Sequence, residues 1–281
     1  MKWKGRRESS NVEDRRGMGG KTLVGGGIGG IVILLLVTLL GGNPSDLLNG
    51  MMNAPESGTN APYEESAQEK ELSQFVSVVL ADTEDVWTDV FKKEGLTYKK
   101  PTLVLYSGSV DSACGTAGSA VGPFYCPGDQ KLYIDLSFYE ELKQKFKAPG
   151  DFAMAYVIAH EVGHHVQTLL GTTEKEMPNR QQVSQNEYNK YSVRLELQAD
   201  YLAGVWASHA KDMNLLEKGD LEEALNAANA VGDDNIQKKA QGYAVPESFT
   251  HGTSEQRKRW FNKGFQSGTI EGGDTFSAKN L

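Results

Sequence analysis

His160-Glu161-Val162-Gly163-His164, followed downstream by Glu196-Leu197-Gln198-Ala199-Asp200, decides how this chain reads. On a helix His160 and His164 are four residues apart and share one face, about 40° from each other at 3.6 residues per turn. Both imidazoles can then reach one metal ion. Glu161, beside the first, can turn toward a water on that metal and act as general base. A catalytic zinc of this type takes a third protein ligand and keeps its fourth position for water. Glu196 is the candidate third ligand. Asp200, one turn further, is placed to accept a hydrogen bond from a ligating histidine and fix its tautomer.

A five-residue pattern also arises by chance, and the competing reading is a helix with two structural histidines and an exposed glutamate. Three features disfavour it. The flanks, residues 153–158 and 166–170, are apolar, so the polar trio projects from an otherwise buried helix, where polar groups need partners and a metal supplies them. The chain has five histidines, and two of them are used here. The Glu-x-x-x-Asp element follows at a distance that fits a loop and a second helix.

Outward from the motif, Asp151 is the expected N-cap of the first helix and Gly171 its stop. A second helix is expected over 185–209. Small residues recur every fourth position on both: Ala155, Ala159 and Gly163 on one, Ala199, Ala203 and Ala207 on the other. A glycine inside a helix costs about 1 kcal/mol relative to alanine, so Gly163 suggests close helix packing; Ala-rich composition alone is the alternative. Helical spacing of Leu72, Phe75, Val76, Val79, Leu80, Trp87, Val90 and Phe91 predicts a helix over 71–91. Strands are expected at 102–106 and 131–136, the latter alternating Leu132, Ile134 and Leu136, with shorter helices near 221–230 and 254–265. The fold class is α+β, mostly helical with a small β-sheet.

Toward the N-terminus the 281-residue chain changes character. Residues 1–21 carry seven Lys/Arg against three acids, and residues 22–42 then run without a charge. That length spans a hydrocarbon core of about 30 Å as a helix. The basic flank places the N-terminus in the cytoplasm by the positive-inside rule and sends the remainder across. A cleaved signal peptide is the alternative, disfavoured by the long charged region and the length of the apolar run. The expected organisation is a basic cytoplasmic N-terminus (1–21), one transmembrane helix (22–42), a flexible linker (43–69) and an extracytoplasmic domain (70–281). Setting aside residues 1–21 from the chain's 29 Lys/Arg and 37 Asp/Glu leaves 22 and 34, a net of about −12. Such a domain has little to offer nucleic-acid phosphates. The two cysteines, Cys114 and Cys126, are expected to be disulfide-bonded outside the cytoplasm, with free thiols as the alternative.

GPFYCPGDQKLYIDLSFYEEL, DFAMAYVIAHEVGHHVQTLLG, VRLELQADYLAGVWA and ESFTHGTSEQRKRWFNKGF together resemble a bacterial family of neutral zinc metallopeptidases, over roughly residues 70–276. The resemblance implies a zincin-like fold with His160, His164 and Glu196 on one zinc and Glu161 as base. The Glu-x-x-Ala-Asp element and Thr250-His251, with Arg257 six residues beyond the histidine, also resemble membrane gluzincins of the CAAX-processing and heat-shock type. Those have Pro where this chain has Gly252. By the same resemblance the strand beside the active-site helix would hold substrate in extended form, and residues 131–136 are the choice for it.

The resulting expectation is a membrane-anchored zinc endopeptidase acting on peptide or protein substrates. Glu161 would take a proton from the attacking water and return it to the leaving amine. His251 is the candidate for stabilising the oxyanion. His165 and His209 read as structural. The rival reading is a catalytically silent zinc protein of the envelope that binds peptides or partner proteins; Glu161 argues against it, since metal binding alone has no use for a base.

Overall fold

The two expected strands, Thr102–Tyr106 and Lys131–Asp135, lie parallel with Leu103 opposite Leu132 and Leu105 opposite Ile134, and form the centre of a four-stranded sheet. The structure, a computed structural model, describes residues 1–17 and 63–281. In chain order the elements are β1 (Val12–Asp14), α1 (Ala67–Lys93), β2 (Thr102–Tyr106), β3 (Ser109–Ser112), β4 (Gly115–Gly118), β5 (Phe124–Cys126) and β6 (Lys131–Asp135). Then come α2 (Phe138–Gln144), α3 (Asp151–Leu169), α4 (Thr172–Glu176), α5 (Gln185–Asp212), α6 (Asp220–Ala230), α7 (Asp233–Gln241) and α8 (Ser254–Ser267).

The sheet order is β1-β2-β6-β5, with β5 antiparallel to β6 and the other pairs parallel. Strand alternation sends Leu103, Leu105, Leu132 and Ile134 into the main core with the helices. Val104, Tyr106 and Tyr133 point the other way, into a smaller core closed by Val110 and Ala117 of the β3-β4 hairpin. Cys114 and Cys126 form a disulfide that ties this hairpin to the end of β5. β6 has a strand on both sides, so residues 131–136 cannot take up a substrate strand. Among the described residues the outer edges of the sheet belong to β1 and β5.

Local chemistry sets the helix ends. Ser66 and Glu69 form a reciprocal capping box at the start of α1, which takes in the last three residues, 67–69, of the expected linker. Ser184 caps α5 by accepting from the Glu187 N–H. Asp151 is not the N-cap of α3; Gly150 holds that place, and the Asp151 carboxylate instead lies 2.6 Å from the Met1 amine. α3 and α5 cross so closely that a β-carbon on Gly163 would lie 3.0 Å from the Ala199 carbonyl oxygen, which makes the small-residue spacing a packing device at this point.

The largest departure from expectation is the N-terminus. Residues 1–17, expected as a segment apart from the domain, are built into it. β1 adds to the sheet beside β2, and Trp3 packs edge-on against Phe75. Arg6 pairs with Asp82 at 2.5 Å. The Glu84 carboxylate, 1% exposed, accepts from Ser9 and Asn11 on one oxygen and from Arg7 and Lys100 on the other. The proposed span at 22–42 and most of the linker lie outside the described residues. Among the described residues, no helix is long and apolar enough to cross a membrane.

Burial disfavours the charged Glu84, but Ser9, Asn11, Lys100 and Arg7 outweigh it and hold its carboxyl below the usual range. A lowered folded-state value contributes stability above the ordinary carboxylate range, and that contribution disappears as pH falls through the lowered value. Glu84→Gln is therefore expected to cost about 3 kcal/mol at neutral pH, the scale of breaking a buried charged pair. Urea unfolding should show the gap to the parent closing in acid. A gap of zero at pH 7 would mean that the arm is not held by this carboxylate.

Candidate active site

The two histidines of α3 and the glutamate of α5 converge as their spacing predicts. His160 Nε2 lies 3.1 Å from Glu196 Oε2, and His164 Nε2 lies 3.4 Å from Glu196 Oε1. One donor atom from each residue falls within 4.8 Å of the others. Ligands about 2.0–2.1 Å from a tetrahedral zinc stand roughly 3.3 Å apart, so these donors are spaced to share one. The rear nitrogens are occupied. His160 Nδ1–H donates to Asp200 Oδ1 at 2.9 Å, and His164 Nδ1–H donates to Gln167 Oε1 at 2.9 Å. Once neutral, as a metal ligand must be, both rings are thereby set in the tautomer that turns an Nε2 lone pair toward Glu196. Two histidines and one carboxylate, with no fourth protein donor in the group, are the donor set of a catalytic zinc rather than a closed structural one.

Asp200 is fully buried and holds other groups besides His160. It accepts from Tyr156 Oη at 2.5 Å and from Arg257 Nε and Nη2 at 2.8 and 3.1 Å. Burial opposes charge on His160, yet Asp200 and Glu196 raise its imidazole to about 10. At Glu196 burial is likewise outweighed, by His164 and His251, which hold the carboxyl well below its usual range. Glu161 differs: burial dominates there and pushes its carboxyl up. Its side chain makes no hydrogen bond among the described residues and is left free beside the three ligands.

His251 sits on the turn before α8, its side chain 39% exposed. Asp233, the first residue of α7, holds that turn. Its Oδ2 accepts the backbone N–H groups of Thr250, His251 and Gly252, and Oδ1 accepts His251 Nδ1 at 3.1 Å. Gly252 is required here on two counts: it donates its N–H and has φ +90. A proline in its place could do neither.

A family model described as "Putative neutral zinc metallopeptidase" matches residues 1–276. The chain belongs to this family. An Escherichia coli K12 relative, named "Uncharacterized protein YpfJ", is 50% identical over 283 residues, covering 98% of this chain and 99% of the relative. A Mycobacterium tuberculosis H37Rv relative, "Uncharacterized protein Rv2575", is 41% identical over 222 residues, covering 75% and 74%. No solved structure matches the chain. The match to the family begins at residue 1, consistent with an N-terminal arm that is part of the fold.

Within this family frame, His160, His164, Glu196 and Asp200 come together, with Glu161 alongside. Cys114 and Cys126 lie away from them, bonded to each other. His165 is structural, its ring bridging Tyr125 Oη and the Lys99 carbonyl. So is His209, which bonds the Gly268 carbonyl. Gln167, Tyr156 and Asp233 carry site geometry without having been singled out. Gln167 was within reach of sequence reasoning, being three residues from His164 on the same helix face. A second acidic group, Asp151, Asp220 and Glu223, also has metal-like spacing, but the Met1 amine already compensates Asp151 and Asp220.

Loss of a direct ligand, as in Glu196→Ala, is expected to abolish tight zinc binding. Gln167→Leu should weaken binding or activity about 10- to 100-fold, because His164 Nδ1–H loses its acceptor. Competition against a chromophoric chelator measures both. Parent-like affinity in Gln167→Leu would show that packing alone orients His164.

Proposed function

We propose that this protein is a zinc-dependent endopeptidase attached to a membrane through residues 22–42. The observation that carries the peptidase reading is Glu161: a buried carboxylate of raised pKa, free of protein partners, beside a two-histidine, one-carboxylate donor set. Bound zinc supplies Lewis acidity, polarising the scissile carbonyl and making water nucleophilic near neutral pH. The protein's own groups do the rest. Glu161 accepts the proton of the attacking water on a carboxylate oxygen and delivers it to the leaving amine. Asp233 accepts from His251 Nδ1–H, so the protonated ring carries a second N–H on Nε2 that donates to the oxyanion developing on the carbonyl. Burial opposes the charged form of His251, but Asp233 and Glu196 raise it, which favours the donor state.

Substrate binding is assigned to β5. Its edge away from β6 has no strand among the described residues, and Tyr125 fastens it to the active-site helix through His165. An extended peptide can add there by backbone hydrogen bonding. The Cys114–Cys126 disulfide supports a catalytic domain located outside the cytoplasm.

Glu161→Gln is expected to keep its zinc while losing about 10²–10⁴-fold in peptide cleavage, since an amide cannot take the proton. His251→Ala should retain zinc, lower kcat about 10²-fold and leave KM nearly unchanged. Unaltered cleavage by Glu161→Gln would refute the mechanism. Peptide binding without turnover by the zinc-loaded parent would favour a silent binding protein.

A further inference from the structure

The C-terminal segment after α8 is clasped onto α5 by side chains that point away from the proposed metal site. Arg194 Nη1 donates to the carbonyls of Thr275, Phe276 and Ala278, the last two at 3.1 and 3.2 Å. Thr275, fully buried, donates from Oγ1 to the Arg194 carbonyl at 2.6 Å. Tyr201 Oη donates to the Thr269 carbonyl at 2.9 Å. Arg194, Gln198 and Tyr201, four and three residues apart, share one face of α5, turned away from that of Glu196 and Asp200. Gly273 lies against the Tyr201 ring, where a β-carbon would come within 2.8 Å of it. That close approach brings the Gly273 carbonyl 2.9 Å from Gln198 Nε2.

From this carbonyl a line of hydrogen bonds runs inward to His164. Gln198 Oε1 accepts from Gln167 Nε2 at 3.0 Å, and Gln167 Oε1 accepts from His164 Nδ1–H at 2.9 Å. A side-chain amide donates only from its nitrogen and accepts only on its oxygen. The Gly273 carbonyl can only accept, so Gln198 must turn its nitrogen toward Gly273 and its oxygen toward Gln167. Gln167 must then offer its nitrogen to Gln198, and the Leu195 carbonyl, 2.7 Å away, accepts from the same nitrogen. What remains for His164 is an acceptor. Every link runs the same way, with the donor on the side of the metal site, and hydrogen bonds aligned in this manner strengthen one another. Gln167 has no solvent access, so bulk water does not replace a lost partner.

We propose that Gln198 and the C-terminal segment at Gly273 position the metal ligand His164, acting through Gln167. The inference rests on the zinc site proposed above. Gln198 and Gly273 are positioning residues that touch neither metal nor substrate. Their part is to fix which way the Gln167 amide points. The amide in turn fixes which nitrogen of the neutral His164 ring keeps its proton and which turns toward Glu196.

Gln198→Met removes both hydrogen bonds of that side chain while nearly keeping its length, and it is made in the parent and in Gln167→Leu. Zinc affinity of the full chain is read by competition with a chromophoric chelator. In the parent background Gln198→Met should weaken zinc binding about fivefold, the scale of one neutral hydrogen bond. In the Gln167→Leu background it should change affinity by less than about twofold, because the link to His164 is already cut. Gly273→Ala, whose β-carbon would be driven off the Tyr201 ring and take the carbonyl with it, should show the same dependence on Gln167. Circular dichroism of the metal-free chains checks that each variant is folded, and Gln198→Met alone decides the matter if Gly273→Ala is not. Equal losses in the two backgrounds are what a general loosening of the fold would give, and they overturn the relay, as does parent-like affinity in Gln198→Met. Parent-like affinity in a folded Gly273→Ala overturns the part assigned to the C-terminal segment. A parent that binds no zinc would overturn the metal site and this inference with it, whereas the other failures leave that site standing.

Discussion

Asp200 is the charge on which the molecule is organised. A carboxylate with no solvent access is tolerated only when its lone pairs are satisfied and its charge is answered, and removing one partner of such a group costs about 3–5 kcal/mol. It joins three helices: Tyr156 and His160 come from α3, Arg257 from α8, and the aspartate itself from α5. Arg257 also reaches the Val231 carbonyl, between α6 and α7. The hydrogen bond that sets the His160 tautomer is thus part of the same network that seats α8. The turn carrying His251 leads directly into that helix, so the proposed metal ligands and the proposed oxyanion donor share one support.

The sheet solves a separate problem, that of its two edges. On one side β1, only three residues long, covers β2 with chain drawn from the N-terminus. On the other, β5 is equally short and is pinned at Cys126 by the disulfide and at Tyr125 by His165. Both outer strands are short, and β5 is the one held rigid beside the active-site helix.

What was legible beforehand follows from how distance in sequence maps onto distance in space. His160, His164, Glu196 and Asp200 sit at helical intervals, so a regular element turns their spacing directly into geometry. The long helices and the two central strands were legible for the same reason, each having enough apolar residues to show its period. Asp233 was not, because it binds His251 across 18 positions with no local pattern, at the head of a polar helix, DDNIQKKAQ. That β6 lies inside the sheet was hidden because β5, which covers it, has three residues inside a Gly/Pro-containing loop, while β6 shows clear alternation. The arm was misread because Arg6, Arg7 and Arg16 look like a positive-inside flank. Their partners, Asp82, Glu84 and Glu65, lie 49 to 77 residues further along the chain.

The arm also bears on the order in which the protein assembles. It is synthesised before the elements it meets, yet it pairs with β2 and α1, and the Met1 amine with Asp151 and Asp220, 150 and 219 residues later. Contacts of such long range form late, because loop closure must be met before they contribute. The arm must wait, unpaired, until the rest of the domain presents its acidic sites. Its docking is then a report that the domain is complete. Until that moment β2 has an open edge, and the nascent chain is most exposed to strand-to-strand association with its neighbours.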